Sequence, residues 1–313
     1  MLSRTADHLF WLSRYMERAE NTARMLDVNY QTSLLPQSAA AAEQSWRGIL
    51  SISELSDDYQ KYYGDIDAKR VKDFIVRDER NPSSILSCLR EARENARAVR
   101  GTLTTEVWET TNQTWLEFKR LIDDGMLARD PSALFEWVKF RSHLSRGVTV
   151  GTMLQDEAFN FIRIGSFLER ADNTARLLDV KFHAVENSLE NQSAIDFYHW
   201  SAVLRSVSGL EIYRKVYSNA IAPDKVAELL MLRPNMPRSL AHCMGQLFNN
   251  LKRVANDQSA ETLRQAGRLH ADIEYARIDE ILETGLHEFL SSFLERIGEL
   301  GMGISRDFLM PRT

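Results

Sequence analysis

Residues 16–28 read MERAENTARMLDV and residues 168–180 read LERADNTARLLDV. Ten of the 13 positions are identical at a spacing of 152, and the three differences, Met16/Leu168, Glu20/Asp172 and Met25/Leu177, conserve size and charge. An internal repeat constrains a fold more than any composition does, because each copy must satisfy the same architecture. The correspondence continues more weakly. Trp46, Tyr59 and Tyr63 match Trp200, Tyr213 and Tyr217, Pro82 and Cys88 match Pro237 and Cys243, and Trp137 and Gly151 match Phe289 and Gly303. Small changes of offset mark loop insertions. The expected organisation is two tandem pseudo-symmetric repeats, 1–152 and 153–313, in one compact body. Glu295-Arg296 resembles the motif but falls opposite His143-Leu144 in register, and reads as chance.

Each copy reads as helical. The chain has 14 Gly and 7 Pro in 313 residues, well below the usual shares of roughly 7% and 5%, so the turns of a β-rich protein are missing. No alternating apolar pattern persists. Helices are expected over about 5–33, 43–63, 67–77, 83–100, 103–125 and 132–150, with breaks at Pro36, Pro82 and Pro131 where a helix cannot easily continue. The second copy should break near Asn191-Gln192-Ser193, at Pro223 and at Pro234/Pro237. The expected fold class is all-α, a multi-helix bundle of about twelve helices.

At about 100° per residue, Leu12, Tyr15, Ala19, Ala23 and Leu26 share one face of the first motif helix. Glu17, Glu20, Asn21 and Arg24 share the opposite one, with Arg18 on a flank. The second copy repeats this as Glu169, Arg170, Asp172, Asn173 and Arg176. A solvated face would suit such residues, and Glu20–Arg24 and Asp172–Arg176 are i,i+4 pairs worth about 0.2–0.5 kcal/mol each. Yet solvated faces tolerate almost any polar residue. Residues 46–63 and 200–217 share only 5 of 18 identities while the stripes barely change. Arg14 lies near Glu17, but its counterpart is Ser166. A partner common to both copies therefore belongs on another helix or on a ligand. Two sharper readings follow. The stripes form a buried network between the two copies, or they line a site in which Arg forks hold a carboxylate or phosphate, with Glu17 and Glu169 as candidate catalytic groups.

Residues 90–100, REARENARAVR, place Arg90, Arg93, Arg97 and Arg100 near one helix face, with Asn95 beside them. This patch suits phosphate or an acidic partner helix, or a solvated face laced by Glu91 and Glu94. Glu106 stands across the Gly101 break and could answer the patch, while Trp108 and Trp115 suit core packing. A di-metal bundle site needs Glu-x-x-His pairs, and there is no such string. Asp196-x-x-His199 is the nearest and has no first-copy counterpart. No metal and no cofactor is expected. Nucleophile-elbow and phosphate-loop signatures are absent, and Cys88 and Cys243 fall on apolar faces, where they pack as small hydrophobes. Two cysteines exclude a disulfide scaffold. A net charge of −5 makes nucleic acid an improbable partner. No apolar run reaches membrane-spanning length and the N-terminus lacks a signal-peptide pattern, so a cytoplasmic location is expected.

Taken together, MLSRTADHLFWLSRYMERAENTARMLDV, SSILSCLREARENARAVRGTLTTEVWE, TMLQDEAFNFIRIGSFLERADNTARLLDV and the Pro237-Arg238-Ser239 stretch with Cys243 resemble the bacterial Alpha-E family, named for a Glu-Arg motif. The resemblance covers nearly the whole chain. It implies an all-α fold and a setting beside circularly permuted ATP-grasp proteins and transglutaminase-like proteins. By matching positions it marks Glu17, Arg18, Asn21, Arg24, Glu169, Arg170, Asn173 and Arg176. Its second signature covers Asn95, Arg97, Arg100 and Glu106. The implied function is that of an accessory helical protein working with a separate ATP-grasp-type ligase to form or modify peptide or amide bonds. The alternative is an enzyme whose Glu/Arg/Asn motifs bind and transform an anionic activated acyl substrate, with a Glu as general base. A structural homo-oligomer is a third reading.

Overall fold

The computed structural model describes residues 1–186, 193–217 and 220–310. Among these residues there is no strand, and sixteen α-helices follow one another. They are α1 (Ser3–Ser33), α2 (Ala39–Ile52), α3 (Ser56–Tyr63), α4 (Ala68–Val76), α5 (Ile85–Ala98), α6 (Thr105–Asp123), α7 (Met126–Arg129) and α8 (Pro131–Thr152). Then come α9 (Glu157–Glu186), α10 (Ser193–Ser206), α11 (Leu210–Tyr217), α12 (Pro223–Leu232), α13 (Leu240–Arg253), α14 (Ala260–Glu274), α15 (Ile278–Thr284) and α16 (Leu286–Ile304). Two compact units emerge, Met1–Ser166 with residues 309–310, and Phe167–Phe308, so the boundary falls inside α9. No helix among the described residues is long and apolar enough to cross a membrane.

The count of about twelve helices needs correction, and the reason is local. The expected helix 43–63 is two helices, because Glu54 adopts a left-handed conformation at φ 54°. The N–H of Leu55 then reaches back to the Leu50 carbonyl at 2.9 Å, and that of Glu54 to Ser51 at 3.1 Å. This doubly bonded C-terminal turn normally uses glycine, so nothing in the residue types announced it. Ser208 repeats the device at φ 52°, with Gly209 N–H on the Leu204 carbonyl at 2.7 Å. Other breaks are as read. Asp130 caps α8 with Pro131 in its first turn, and Pro223 opens α12. Ser84 and Ser239 each accept a backbone N–H at the start of α5 and α13, a cap worth about 1 kcal/mol. Asn191 and Gln192 lie outside the described residues.

In unit 1, α1 lies against α5 and α8, and α6 packs on both of these. Its apolar face, Leu12, Ala19, Ala23 and Leu26, is buried in the core with Trp46, Phe74 and Phe135. The core of unit 2 includes Trp200, Tyr213, Leu247 and Leu251, all nearly inaccessible, with α13 and α16 flanking α14. Two buried tyrosines do the same work in the two units. Tyr59 donates to the Asp65 carbonyl and accepts the Asp67 N–H, both at 3.3 Å. Tyr213 donates to the Ala220 carbonyl and accepts the Ala222 N–H, both at 3.0 Å. Cys88 and Cys243 are buried and in no disulfide.

Candidate functional site

The polar stripe of α1 is not solvated. Glu20 is 0% exposed, Glu17 and Asn21 3%, and Arg24 6%. Helix α1 is buried on both faces, because α8 covers the side opposite the apolar one. Carboxylates at such depth must be paired and hydrogen-bonded. Glu20 is held accordingly. Its Oε1 accepts from Arg24 Nε at 2.9 Å and Nη2 at 2.7 Å. Its Oε2 accepts from the Ser142 hydroxyl at 2.6 Å and from Arg146 Nη2. The same Arg146 nitrogen donates to Glu17 Oε2 at 3.2 Å, and Arg24 lies 3.0 Å from His143 Nε2. One turn further on, Asp27 accepts from the Ser132 hydroxyl and from Lys139 Nζ, each at 2.6 Å.

A polar seam thus joins α1 to α8, 105 to 129 residues away in sequence. The partner side was not singled out from sequence. The signal was there: Ser132, Lys139, Ser142, Arg146 and Thr149 recur at helical spacing along α8. Arg14, the neighbour considered for Glu17, stacks over Trp11 at 4.9 Å.

The second motif is placed differently. Glu169 and Arg170 are buried, each 6% exposed, while Asp172, Asn173 and Arg176 are half-buried. Arg176 grips Asp172 through two bonds of 2.9 and 3.0 Å, and the pair is about a quarter exposed. The arginine of each Glu-Arg pair reaches the loop before a capped helix within its own unit. Arg18 donates to the Ser83 hydroxyl at 3.2 Å, and Arg170 to the Pro237 carbonyl at 3.3 Å.

The arginine patch of α5 is laced by acidic neighbours. Arg90 pairs with Glu79 at 2.9 Å and Glu91 at 3.2 Å. Arg93 pairs with Glu94 at 2.5 Å and Arg97 with Glu94 at 2.6 Å. Arg93 also donates to Asn112 at 2.9 Å. Asn95 ties the helix to His8 at 2.8 Å. The expected answer from Glu106 is corrected. Arg100 lies over the Trp108 ring at 5.3 Å instead, and Glu106 sits exposed in the first turn of α6, where its charge suits the helix dipole. Trp108 and Trp115 pack half-buried on the core of unit 1. Among the described residues, no three His, Cys, Asp or Glu side chains are grouped to hold a metal. His199 lies 3.1 Å from the Lys181 carbonyl, and the Asp196 side chain lies outside those described.

Beside the seam is a cleft of about 520 Å³, counted to its open mouth, between α1, α6, α8 and the start of α9. Glu17, Ser142 and Arg146 of α1 and α8 and Arg163 of α9 stand on its wall. In unit 1 the structure brings Glu17, Glu20 and Arg24 together with α8, and leaves the α5 patch apart from that cluster.

Comparison with known proteins places these features. The chain is 25% identical to the uncharacterised proteins Mb2597 of Mycobacterium bovis and MT2643 of Mycobacterium tuberculosis, over 94% of its length but 35% of theirs. It is 24% identical to the uncharacterised protein Rv2567 of Mycobacterium tuberculosis over the same shares. The chain therefore spans about a third of the curated relatives it matches. No solved structure matches it. A family described as "Alpha-E: A predicted alpha-helical domain with a conserved ER motif" matches residues 1–309. That match runs through both Glu-Arg pairs and the helices that hold them, and the chain belongs to the Alpha-E family.

Proposed function

We propose that this chain is an accessory helical protein acting with a separate ATP-grasp-type ligase in a system that forms or modifies peptide or amide bonds. The observation that carries this reading is the length of the relatives. In each, the matching region takes up 35% of the chain, so the helical unit is joined there to further protein. A unit that works beside another activity is the kind that becomes fused to it. The ion pairs of α1 point the same way. Glu20 is answered from three side chains, and such networks specify geometry more than chemistry. A transglutaminase-like protein is the second partner we propose, the cytoplasm the location, and homo-oligomerisation the alternative assembly.

The second reading is an enzyme in its own right, and Glu17 on the wall of the cleft favours it. We also read the chain as two tandem pseudo-symmetric repeats, 1–152 and 153–313. The paired tyrosines, the paired serine caps and the paired left-handed turns at Glu54 and Ser208 support that.

Co-expression with a circularly permuted ATP-grasp protein from the same organism tests the main reading. Co-elution on size exclusion, and an amide product by mass spectrometry only when both chains are present, is the expected result. Separate elution with unchanged products would overturn it. Turnover by this chain alone, abolished in Glu17→Gln at an unchanged melting temperature, would establish the enzyme reading instead.

A further inference from the structure

The cleft of unit 1 is more polar than its fold position requires. At a spacing of 152, α16 carries Leu294, Ile297, Gly298 and Gly301 where α8 carries Ser142, Ser145, Arg146 and Thr149. Ile297 is buried there, and a Cβ on Gly301 would rest 3.6 Å from Leu168. One half of the chain therefore builds this helix with apolar and small residues. The other half lines a cleft with hydroxyls and a guanidinium.

The direction of each hydroxyl proton determines what that lining can bind. Ser13 donates to the Phe10 carbonyl at 2.9 Å, and Thr111 to the Val107 carbonyl at 2.8 Å. Ser142 donates to Glu20 at 2.6 Å, and Thr149 to the Ser145 carbonyl at 2.8 Å. A hydroxyl has one proton, so these four oxygens can offer the cleft only lone pairs. Glu17, whose Oε2 already accepts from Arg146, stands with them on the lining as a further acceptor, and Arg163 is a second guanidinium there. Arg146 has the opposite character. Of its five N–H groups, the two on Nη2 serve Glu17 and Glu20. Those on Nε and Nη1 meet no described partner, and its side chain is 30% exposed. The Ser145 and Ser166 hydroxyls, also on the lining, can either donate or accept. Leu12, Met16, Val107 and Ile162 supply the apolar part of the lining.

We propose that this cleft binds an α-amino acid. The Arg146 fork takes its carboxylate, the committed hydroxyls and Glu17 take its ammonium, and the apolar wall takes an aliphatic side chain. This concerns the chain alone and stands or falls separately from the ligase partnership.

The test is calorimetric titration of the purified full chain with L-leucine, 4-methylpentanoate, isoamylamine and N-acetyl-L-leucine. L-Leucine is expected to bind at least about tenfold tighter than the three analogues, each of which lacks one of its charges. Ser145→Phe, which fills the cleft from a half-buried position, is expected to abolish binding. Thr111→Val, which keeps shape and loses one acceptor oxygen, is expected to weaken it several-fold at a melting temperature near that of the parent. If Ser145→Phe does not fold, Thr111→Val and the analogue series decide alone. No heat from L-leucine overturns the proposal, as does an analogue binding as tightly as L-leucine or an unchanged affinity in the folded variants.

Discussion

Glu20 is answered by Arg24, Ser142 and Arg146, and that environment sets what a substitution there costs. Replacing it with Gln removes the buried carboxylate that Arg24 grips and that Arg146 shares with Glu17. Breaking a buried pair from one side costs about 3–5 kcal/mol, and a denaturant titration of Glu20→Gln should fall near that range. Ser142→Ala, which removes one neutral donor, should lose about 1–2 kcal/mol in the same measurement. Gly165 is constrained by space instead. A Cβ there would overlap the Phe10 carbonyl oxygen and the Ser13 hydroxyl. Backbone cannot move aside cheaply, so Gly165→Ala should destabilise by about 1–3 kcal/mol and should not be rescued by ligand.

At the scale of the element, the two left-handed turns account for two of the helices beyond the expected twelve, and they can be checked. Glu54 and Ser208 hold positive φ without being glycine, at a cost of about 1 kcal/mol each. Glu54→Gly and Ser208→Gly should each be neutral or raise the melting temperature, whereas glycine in the middle of α1 would lower it. On α10, His199 is held neutral. Its burial, and then the Lys181 charge, lower its pKa from 6.5 to about 4. Between those values the unfolded chain binds more protons than the folded one. Stability is therefore full above pH 6.5 and falls as pH drops through the window, by about 2 kcal/mol at pH 5 relative to pH 7. Chemical unfolding at the two pH values measures this, and His199→Gln should flatten the slope.

At the scale of the whole molecule, charge and patterning act together. The chain carries −5 at pH 7, and the arginines of α5 face Glu79, Glu91 and Glu94. Counterion release from a nucleic acid needs unanswered cations. A gel-shift titration with duplex DNA at about 0.15 M salt should give no complex, and Glu91→Gln with Glu94→Gln should be the change that creates weak, salt-sensitive binding.

The residues alone determined that the chain is helical, because apolar positions recur every three or four residues and turn formers are scarce. They also determined that the Glu-Arg helices matter, because two stripes 152 residues apart outlasted their surroundings. The aromatic pairs were legible for the same reason, as residue types repeated at one spacing. Whether the stripe on α1 met water, a ligand or another helix was not legible. Helical periodicity places side chains around their own axis and says nothing of what arrives from outside. Only the tertiary structure brought Ser142 and Arg146 across more than 120 residues onto Glu20, turning a surface-like pattern into a buried seam. The hydroxyls of the cleft likewise became acceptors only once folding gave their protons a carbonyl or a carboxylate to meet.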